Sequence, residues 1–149
     1  MSADFGKLLN VQVDSVERPK PFPVGSYDAL VMGHEAKESA QKETPFIRFQ
    51  VKLMAPREDV DAEEFENAGG MEKLTARNAM RYDFYLTPDA YYRLREFLEN
   101  GLGLQCAGRT FDAVLPETDN VPFIASIKHV TGREEGEVYM EISGHALAD

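Results

Sequence analysis

The clearest alternation of hydrophobic and polar residues in this 149-residue chain lies between residues 44 and 54. Because side chains of a β-strand point alternately to its two faces, a period of two predicts a half-buried strand rather than a helix. The apolar face carries Ile47, Phe49, Val51 and Leu53. The opposite face carries Phe46, Arg48, Gln50 and Lys52.

Residues 76–86 repeat this alternation and predict a second strand of the same kind. Its apolar positions are Met80, Tyr82, Phe84 and Leu86, and its polar positions are Arg77, Arg81, Asp83 and Tyr85. Each polar face therefore combines two cations with one aromatic ring. Rings stack on bases while cations hold the backbone, so such a face is typical of surfaces that bind single-stranded nucleic acid. The alternative is the solvated outer face of an ordinary sheet.

Helix signals are strongest directly after the second of these strands. Thr87 is a favourable N-cap, Pro88 suits the first helical position, and Gly101 is a typical C-terminal stop. We expect a helix from this cap to about residue 100. A shorter helix is expected over residues 61–67, which are rich in Glu and Ala.

The remaining segments predict further strands around this helix. Residues 27–37 form a strand that a polar loop joins to residues 45–54 as a β-hairpin. Three more strands are expected at 110–115, 122–130 and 137–147. Three strands, one helix and then two or three strands is the order of an OB-fold. The predicted fold is therefore mostly β, an OB-fold-like five- to six-stranded antiparallel barrel with one α-helix between strands 3 and 4.

The chain divides into an arm and one domain. Prolines at every second position from 19 to 23 hold the chain extended, so residues 1–24 are predicted to form an extended N-terminal arm. Residues 25–149 are expected to form a single OB-like domain with an acidic insertion at about 57–73.

The ligand face of an OB-fold centres on its second and third strands, which here are the two strands with mixed polar faces. The candidate DNA-binding residues follow from that coincidence. Phe46 and Tyr85 are candidates for stacking on bases. Arg48, Lys52, Arg77 and Arg81 are candidates for phosphate neutralisation, and Lys37, Lys42 and Lys128 form a second group.

The net charge of −10 opposes a nucleic-acid function. A negative field repels phosphate and slows encounter. Without the six acidic residues between 58 and 66, 20 acidic residues would still face 16 basic ones. A protein-interaction or virion-structural OB module without nucleic-acid binding is therefore the alternative function.

Enzyme motifs are not found in the sequence. The single Cys106 and three scattered histidines give no metal-ligand spacing, and neither a phosphate-binding glycine loop nor a nucleophile elbow is present. We therefore expect no catalysis, no metal and no cofactor. No apolar run reaches the ~20 residues of a membrane span and no secretory signal is evident, so a cytoplasmic protein without membrane contact is expected. A homo-oligomer is left open.

Several short segments resemble one family. They are PFPVGSY at 21–27, EAKES at 35–39, TPF at 44–46, FYLTPDAYYRLREFL at 84–98 and GRTF at 108–111. Together they resemble the small phage-encoded OB-fold single-stranded DNA-binding proteins over roughly residues 20–130. The resemblance implies non-catalytic binding of single-stranded DNA in phage replication or recombination, in the host-cell cytoplasm. Replication or recombination proteins would be further partners. The acidic insertion and the sixth strand depart from the family pattern.

Overall fold

A five-stranded antiparallel sheet is the centre of the computed structural model, which describes residues 4–13, 20–134 and 136–149. The strands are β1 (Gly25–Glu38), β2 (Pro45–Pro56), β3 (Met80–Tyr85), β4 (Pro122–Thr131) and β5 (Val138–Leu147). Their order across the sheet is β3-β2-β1-β4-β5, and each neighbouring pair is antiparallel.

Short helices surround the sheet. They are α1 (Phe5–Leu8), α2 (Ala62–Asn67), α3 (Gly70–Ala76), α4 (Tyr91–Glu96) and α5 (Phe111–Val114). A π-helical turn, Phe97–Gly101, continues α4, and a 3₁₀ turn, Leu115–Thr118, follows α5. No described helix is long and apolar enough to cross a membrane.

The predicted alternation is confirmed where the sheet forms. The strands expected from residues 27, 45, 122 and 137 are all present, as are the helix over 61–67 and the helix between β3 and β4. The latter begins later than predicted. The backbone N–H groups of Ala90 and Tyr91 both donate to the carbonyl oxygen of Thr87, so Thr87 opens a turn and α4 starts at Tyr91.

Three predictions about the strands are corrected. Residues 110–115 are not a strand, because the side chain of Thr110 accepts a hydrogen bond from the N–H of Ala113 and caps α5. Residues 70–76 form α3, so the strand expected from residue 76 begins only at Met80. The described sheet therefore has five strands rather than six.

The sheet is also not closed into a barrel. Among the described residues, no strand pairs with the free edge of β3 or of β5. The arm predicted as extended contains α1, and its residues 1–3 and 14–19 lie outside the described part of the chain.

One aromatic cluster fills the inner side of the sheet. The apolar face of β2 is buried as predicted. The π-helical turn places Phe97, which is fully buried, against the sheet. Its ring centroid lies 5.0 Å from that of Phe49, 5.2 Å from that of Phe84 and 5.1 Å from that of Phe123. One residue thus contacts β2, β3 and β4, and its burial fastens the helical turn to the sheet.

Side chains bridge the gap between the two free edges. The hydroxyl of Tyr82 on β3 forms a 2.7 Å hydrogen bond with Nδ1 of His145 on β5. Phe97 contacts the same imidazole, with ring centroids 5.1 Å apart. Burial raises the pKa of Tyr82 to about 12 and lowers the pKa of His145, an effect that the carboxylate of Glu96 partly opposes. The edges are therefore joined by side chains rather than by a backbone ladder.

The lowered pKa of His145 predicts a pH-dependent stability. A folded-state pKa below the unfolded value of 6.5 means that the unfolded chain binds the proton more readily. We expect the free energy of unfolding to be fully retained above about pH 6.5 and to fall as the pH drops through the folded-state pKa. Urea unfolding between about pH 5 and pH 7.5 measures it.

His145→Gln should flatten this dependence, because glutamine keeps a polar side chain facing Tyr82 without a titrating ring. His129→Gln is the matched control, because the ring of His129 bonds the carbonyl oxygen of Phe22 and lies outside the gap. Equal slopes in the wild type and in His145→Gln would contradict the prediction.

Candidate nucleic-acid interface

The register between β2 and β3 brings most of the predicted residues onto one surface. Residues directly opposite each other in an antiparallel pair point to the same face. Phe46 lies opposite Tyr85, Arg48 opposite Asp83, and Gln50 opposite Arg81. These six residues together with Lys52 are called the outer face below. β1 adds a flank, where Lys37 lies opposite Phe46 and Glu35 opposite Arg48.

The two predicted stacking residues have different environments. Phe46 is buried, with 6% of its surface exposed, whereas Tyr85 is 49% exposed. Their ring centroids are 5.7 Å apart, and the guanidinium of Arg48 lies 5.1 Å from the centroid of Phe46. Phe46 therefore supports Tyr85 and Arg48 from below, and Tyr85 is the ring of this pair that a base can reach.

Arg48 is already engaged by a carboxylate. Its Nε and Nη2 atoms donate to the two carboxylate oxygens of Asp83, at 2.9 Å and 3.0 Å. This hydrogen bonding is the main reason that the pKa of Arg48 is raised. Bidentate Arg–carboxylate pairs are charge-assisted and geometrically specific, so a phosphate has to compete with Asp83 for this guanidinium.

Lys52 stabilises the end of a helix. Its Nζ donates to the carbonyl oxygens of Leu74 at 3.0 Å and Thr75 at 2.8 Å, and also to that of Arg77. These carbonyls belong to the C-terminus of α3, where unpaired backbone acceptors attract cations. The lysine assigned to phosphate from the sequence therefore caps α3, a helix that the alternation of 76–86 did not predict.

Four further cations are exposed. The guanidinium of Arg81 and the ammonium of Lys42, in the loop between β1 and β2, have no hydrogen-bond or ion-pair partner within the described part of the chain. Lys37 lies 3.5 Å from Glu35, and Lys128 on β4 lies 3.7 Å from Glu141, with every side chain of these two pairs more than 40% exposed. Exposed pairs of this kind contribute little and release their cations easily.

Arg77 lies beside the outer face and not on it, because β3 begins at Met80. It precedes β3 and lines a cavity together with Lys20 and the turn between β4 and β5. The expectation that Arg77 shares one surface with Arg48 and Arg81 is therefore corrected. Tyr139 lines the same cavity and is 53% exposed, although the sequence did not single it out. The sequence does carry a signal for Tyr139, because apolar and polar residues alternate over 138–143 and Tyr139 falls on the polar side.

The acidic insertion is attached to the domain by two buried apolar side chains and one hydrogen-bonded carboxylate. Val60 and Phe65 are buried in the core, and the carboxylate of Asp59 accepts hydrogen bonds from the N–H and hydroxyl of Ser26. The N–H bond is the main reason that the pKa of Asp59 is lowered. Within the described residues, no carboxylate of residues 58–66 pairs with a cation of the outer face.

Among the described residues, no cluster of three or more His, Cys, Asp or Glu side chains is arranged to hold a metal ion. Cys106 is half-buried, its Sγ lies 3.6 Å from the carbonyl oxygen of Leu104, and burial raises the pKa of its thiol. A raised pKa disfavours the thiolate that nucleophilic chemistry requires.

The cap on α3 predicts a stability effect at Lys52. Lys52→Met keeps most of the aliphatic stem but removes the ammonium from three carbonyls, so we expect a loss of about 1–2 kcal/mol in the free energy of unfolding. Lys42→Met, at an exposed lysine without a described partner, should change it by less than about 0.5 kcal/mol. Urea denaturation of both variants measures this, and equal effects would show that Lys52 does not act as a cap.

No protein-family model matches this chain, and no curated protein matches it in sequence. The functional assignment therefore rests on the chemistry of the side chains of the outer face.

Proposed function

We propose that the protein binds single-stranded DNA without catalysis, through the outer face of β2 and β3 and with little sequence specificity. The observation that carries the proposal is the even spacing of Tyr85 and Arg81 on β3, which puts an exposed ring on the same face as a guanidinium without a partner among the described residues. Tyr85 lies four positions after Arg81 along the strand, a span of about 13 Å. In this arrangement the ring can stack on a base while the cation binds the phosphate backbone of the same DNA strand.

The assignment to an OB-fold belongs to the same proposal. An OB-fold is a five-stranded, partly open barrel whose second and third strands form the ligand face. Five strands, a helix between β3 and β4, and a β3–β5 gap bridged by Tyr82 and His145 support it. A role in phage replication or recombination in the host-cell cytoplasm, with proteins of those processes as partners, follows from the family resemblance.

Each residue has a distinct role in this proposal. Tyr85 stacks on a base, which typically contributes about 1–3 kcal/mol. Arg81 and Lys42 neutralise phosphates, and Lys37 joins them once it leaves Glu35. Arg48 contributes only when a phosphate displaces Asp83. Because few cations are free and the net charge is −10, we expect modest affinity and a log–log salt slope of about −2.

A protein-interaction module is the second candidate function. It is favoured by five large apolar side chains exposed on and after α1, namely Phe5, Leu8, Leu9, Val11 and Val13. Contiguous exposed apolar residues are typical of protein contacts. The affinity of an apolar interface would change little with salt concentration, whereas the affinity for DNA would fall, so salt dependence distinguishes the two candidate functions.

Fluorescence anisotropy with labelled oligo-dT tests the DNA proposal directly. We expect binding that prefers a single strand over duplex DNA and weakens with salt. Tyr85→Leu keeps an apolar cover over Phe46 but removes the stacking ring, so its affinity should fall by about 1–3 kcal/mol. Arg81→Ala should reduce the magnitude of the salt slope by about 0.7.

Tyr92→Leu is the matched control, because Tyr92 on α4 is 53% exposed and lies outside the outer face. It should bind as tightly as the wild type. If the wild type fails to bind oligo-dT even at low salt, the DNA proposal is wrong and the protein-interaction module takes its place.

The pairing of Arg48 predicts a gain of binding. Asp83→Asn removes a negative charge from the outer face and weakens the hold on Arg48, so oligo-dT affinity should rise and the salt slope should steepen by up to about 0.7. Asp112→Asn on α5 makes the same change of net charge away from the sheet and corrects for general repulsion. Equal gains in the two variants would mean that Asp83 does not compete with DNA for Arg48.

A further inference from the structure

A cavity of about 610 Å³ lies beside the outer face. Three segments form its walls: the residues before β1, the residues before β3, and the start of β5 with its preceding turn. The residues that line it include Lys20, Pro21, Arg77, Val138, Tyr139 and Met140. The volume is in the range of small-molecule sites.

The wall before β1 is fixed to the domain. Phe22 is buried and packs on Phe65 of α2, with ring centroids 5.4 Å apart, and its carbonyl oxygen lies 2.7 Å from Nε2 of His129. The buried hydroxyl of Tyr27 donates to the carbonyl oxygen of Pro23 at 2.7 Å. These contacts hold the backbone that directly follows Lys20 and Pro21.

The described lining of the cavity includes two cations, Lys20 and Arg77. Neither the ammonium of Lys20 nor the guanidinium of Arg77 has a hydrogen bond or ion pair within the part of the chain that the structure describes. Although Arg77 is exposed as a whole residue, the atoms around its guanidinium exclude enough water to lower its pKa. A partly desolvated cation without a counter-ion is unfavourable, and a bound anion would relieve that cost.

The opposite wall offers a ring and hydrogen-bond acceptors. Tyr139 is 53% exposed and Val138 is 39% exposed, so a ring and an aliphatic side chain are both accessible. Glu134 and Glu137 also line the cavity, and a carboxylate oxygen of Glu137 accepts a hydrogen bond from the N–H of Glu134 at 3.0 Å. Carboxylates accept hydrogen bonds from the amino groups of bases. Cations, a ring and acceptors together match a nucleotide rather than a simple anion.

The cavity adjoins the outer face. Lys52 of the outer face donates to the backbone carbonyl of Arg77, and Arg81 lies only four positions after Arg77, with three residues between them. Those residues span at most about 14 Å. A strand bound at Arg81 is therefore also within reach of Arg77.

We propose that this cavity binds one nucleotide unit of the same single strand, with its phosphate on Arg77 and Lys20 and its base on Tyr139. The proposal rests on the proposed DNA-binding function and extends it beyond β2 and β3. It also predicts a local preference: a base with an exocyclic amino group, such as cytosine, suits Glu134 and Glu137 better than thymine.

Anisotropy with oligo-dC and oligo-dT of about 15 nucleotides tests the proposal on the full chain. Tyr139→Leu should weaken oligo-dC binding about 10-fold. Arg77→Ala keeps the carbonyl that Lys52 binds, so the fold is retained, and it should reduce the salt slope by about 0.7. Glu134→Gln combined with Glu137→Gln should reduce the preference for oligo-dC over oligo-dT.

Two matched variants control for general effects. Tyr92→Leu removes a tyrosine with the same 53% exposure, and Arg95→Ala removes a cation on α4. Both should bind within about twofold of the wild type. Unfolding midpoints of all variants confirm that they are folded.

The outcomes separate the two proposals. If the wild type binds and Tyr85→Leu weakens it, while Tyr139→Leu and Arg77→Ala bind as the wild type does, the cavity proposal is wrong and the function on β2 and β3 stands. If the wild type binds no single-stranded DNA, both proposals are wrong. Losses at Tyr139 and Arg77 with unchanged controls support the cavity.

Discussion

The register between β2 and β3 determines which side chains of this protein meet solvent together. On the inner side it pairs Ile47 with Phe84, Phe49 with Tyr82 and Val51 with Met80, so three apolar contacts hold it in place. A slip by one residue would turn these side chains outward and bury Arg48 and Arg81. Burial of the inner apolar side chains therefore determines which residues lie on the outer face. Phe97 reinforces this selection, because its ring contacts those of Phe49, Tyr82 and Phe84.

The sequence predicted the strands and faces well because burial imposes a period of two that is visible along the chain. It predicted side-chain partners poorly, because partners come from other elements. Asp83 was recognised as a polar residue of its strand, but its pairing with Arg48 depends on the cross-strand register. Lys52 looked like a free cation because α3, whose carbonyls it binds, was not predicted. Phe46 occupies a polar phase of the alternation, yet Tyr85 and Arg48 cover it.

The structure also departs from the pattern predicted from the sequence at two other places. Residues 110–115 have strand-like composition, but the hydroxyl of Thr110 satisfies a backbone N–H at the start of α5 and makes a helix favourable there. The gap between β3 and β5 is bridged by Tyr82 and His145 instead of a ladder of backbone hydrogen bonds. Closure of a sheet depends on the distance between two distant edges, and a single sequence carries no signal for that distance.

The bidentate pair of Arg48 and Asp83 also has a consequence for selectivity. A single small anion that approaches Arg48 must replace two charge-assisted hydrogen bonds at once, and it brings no second contact to offset their loss. A chain of linked anions is different, because contacts made elsewhere on the surface raise its effective concentration at Arg48. In the proposed function, the pair therefore favours polyanions over free phosphate and small anionic metabolites at this arginine.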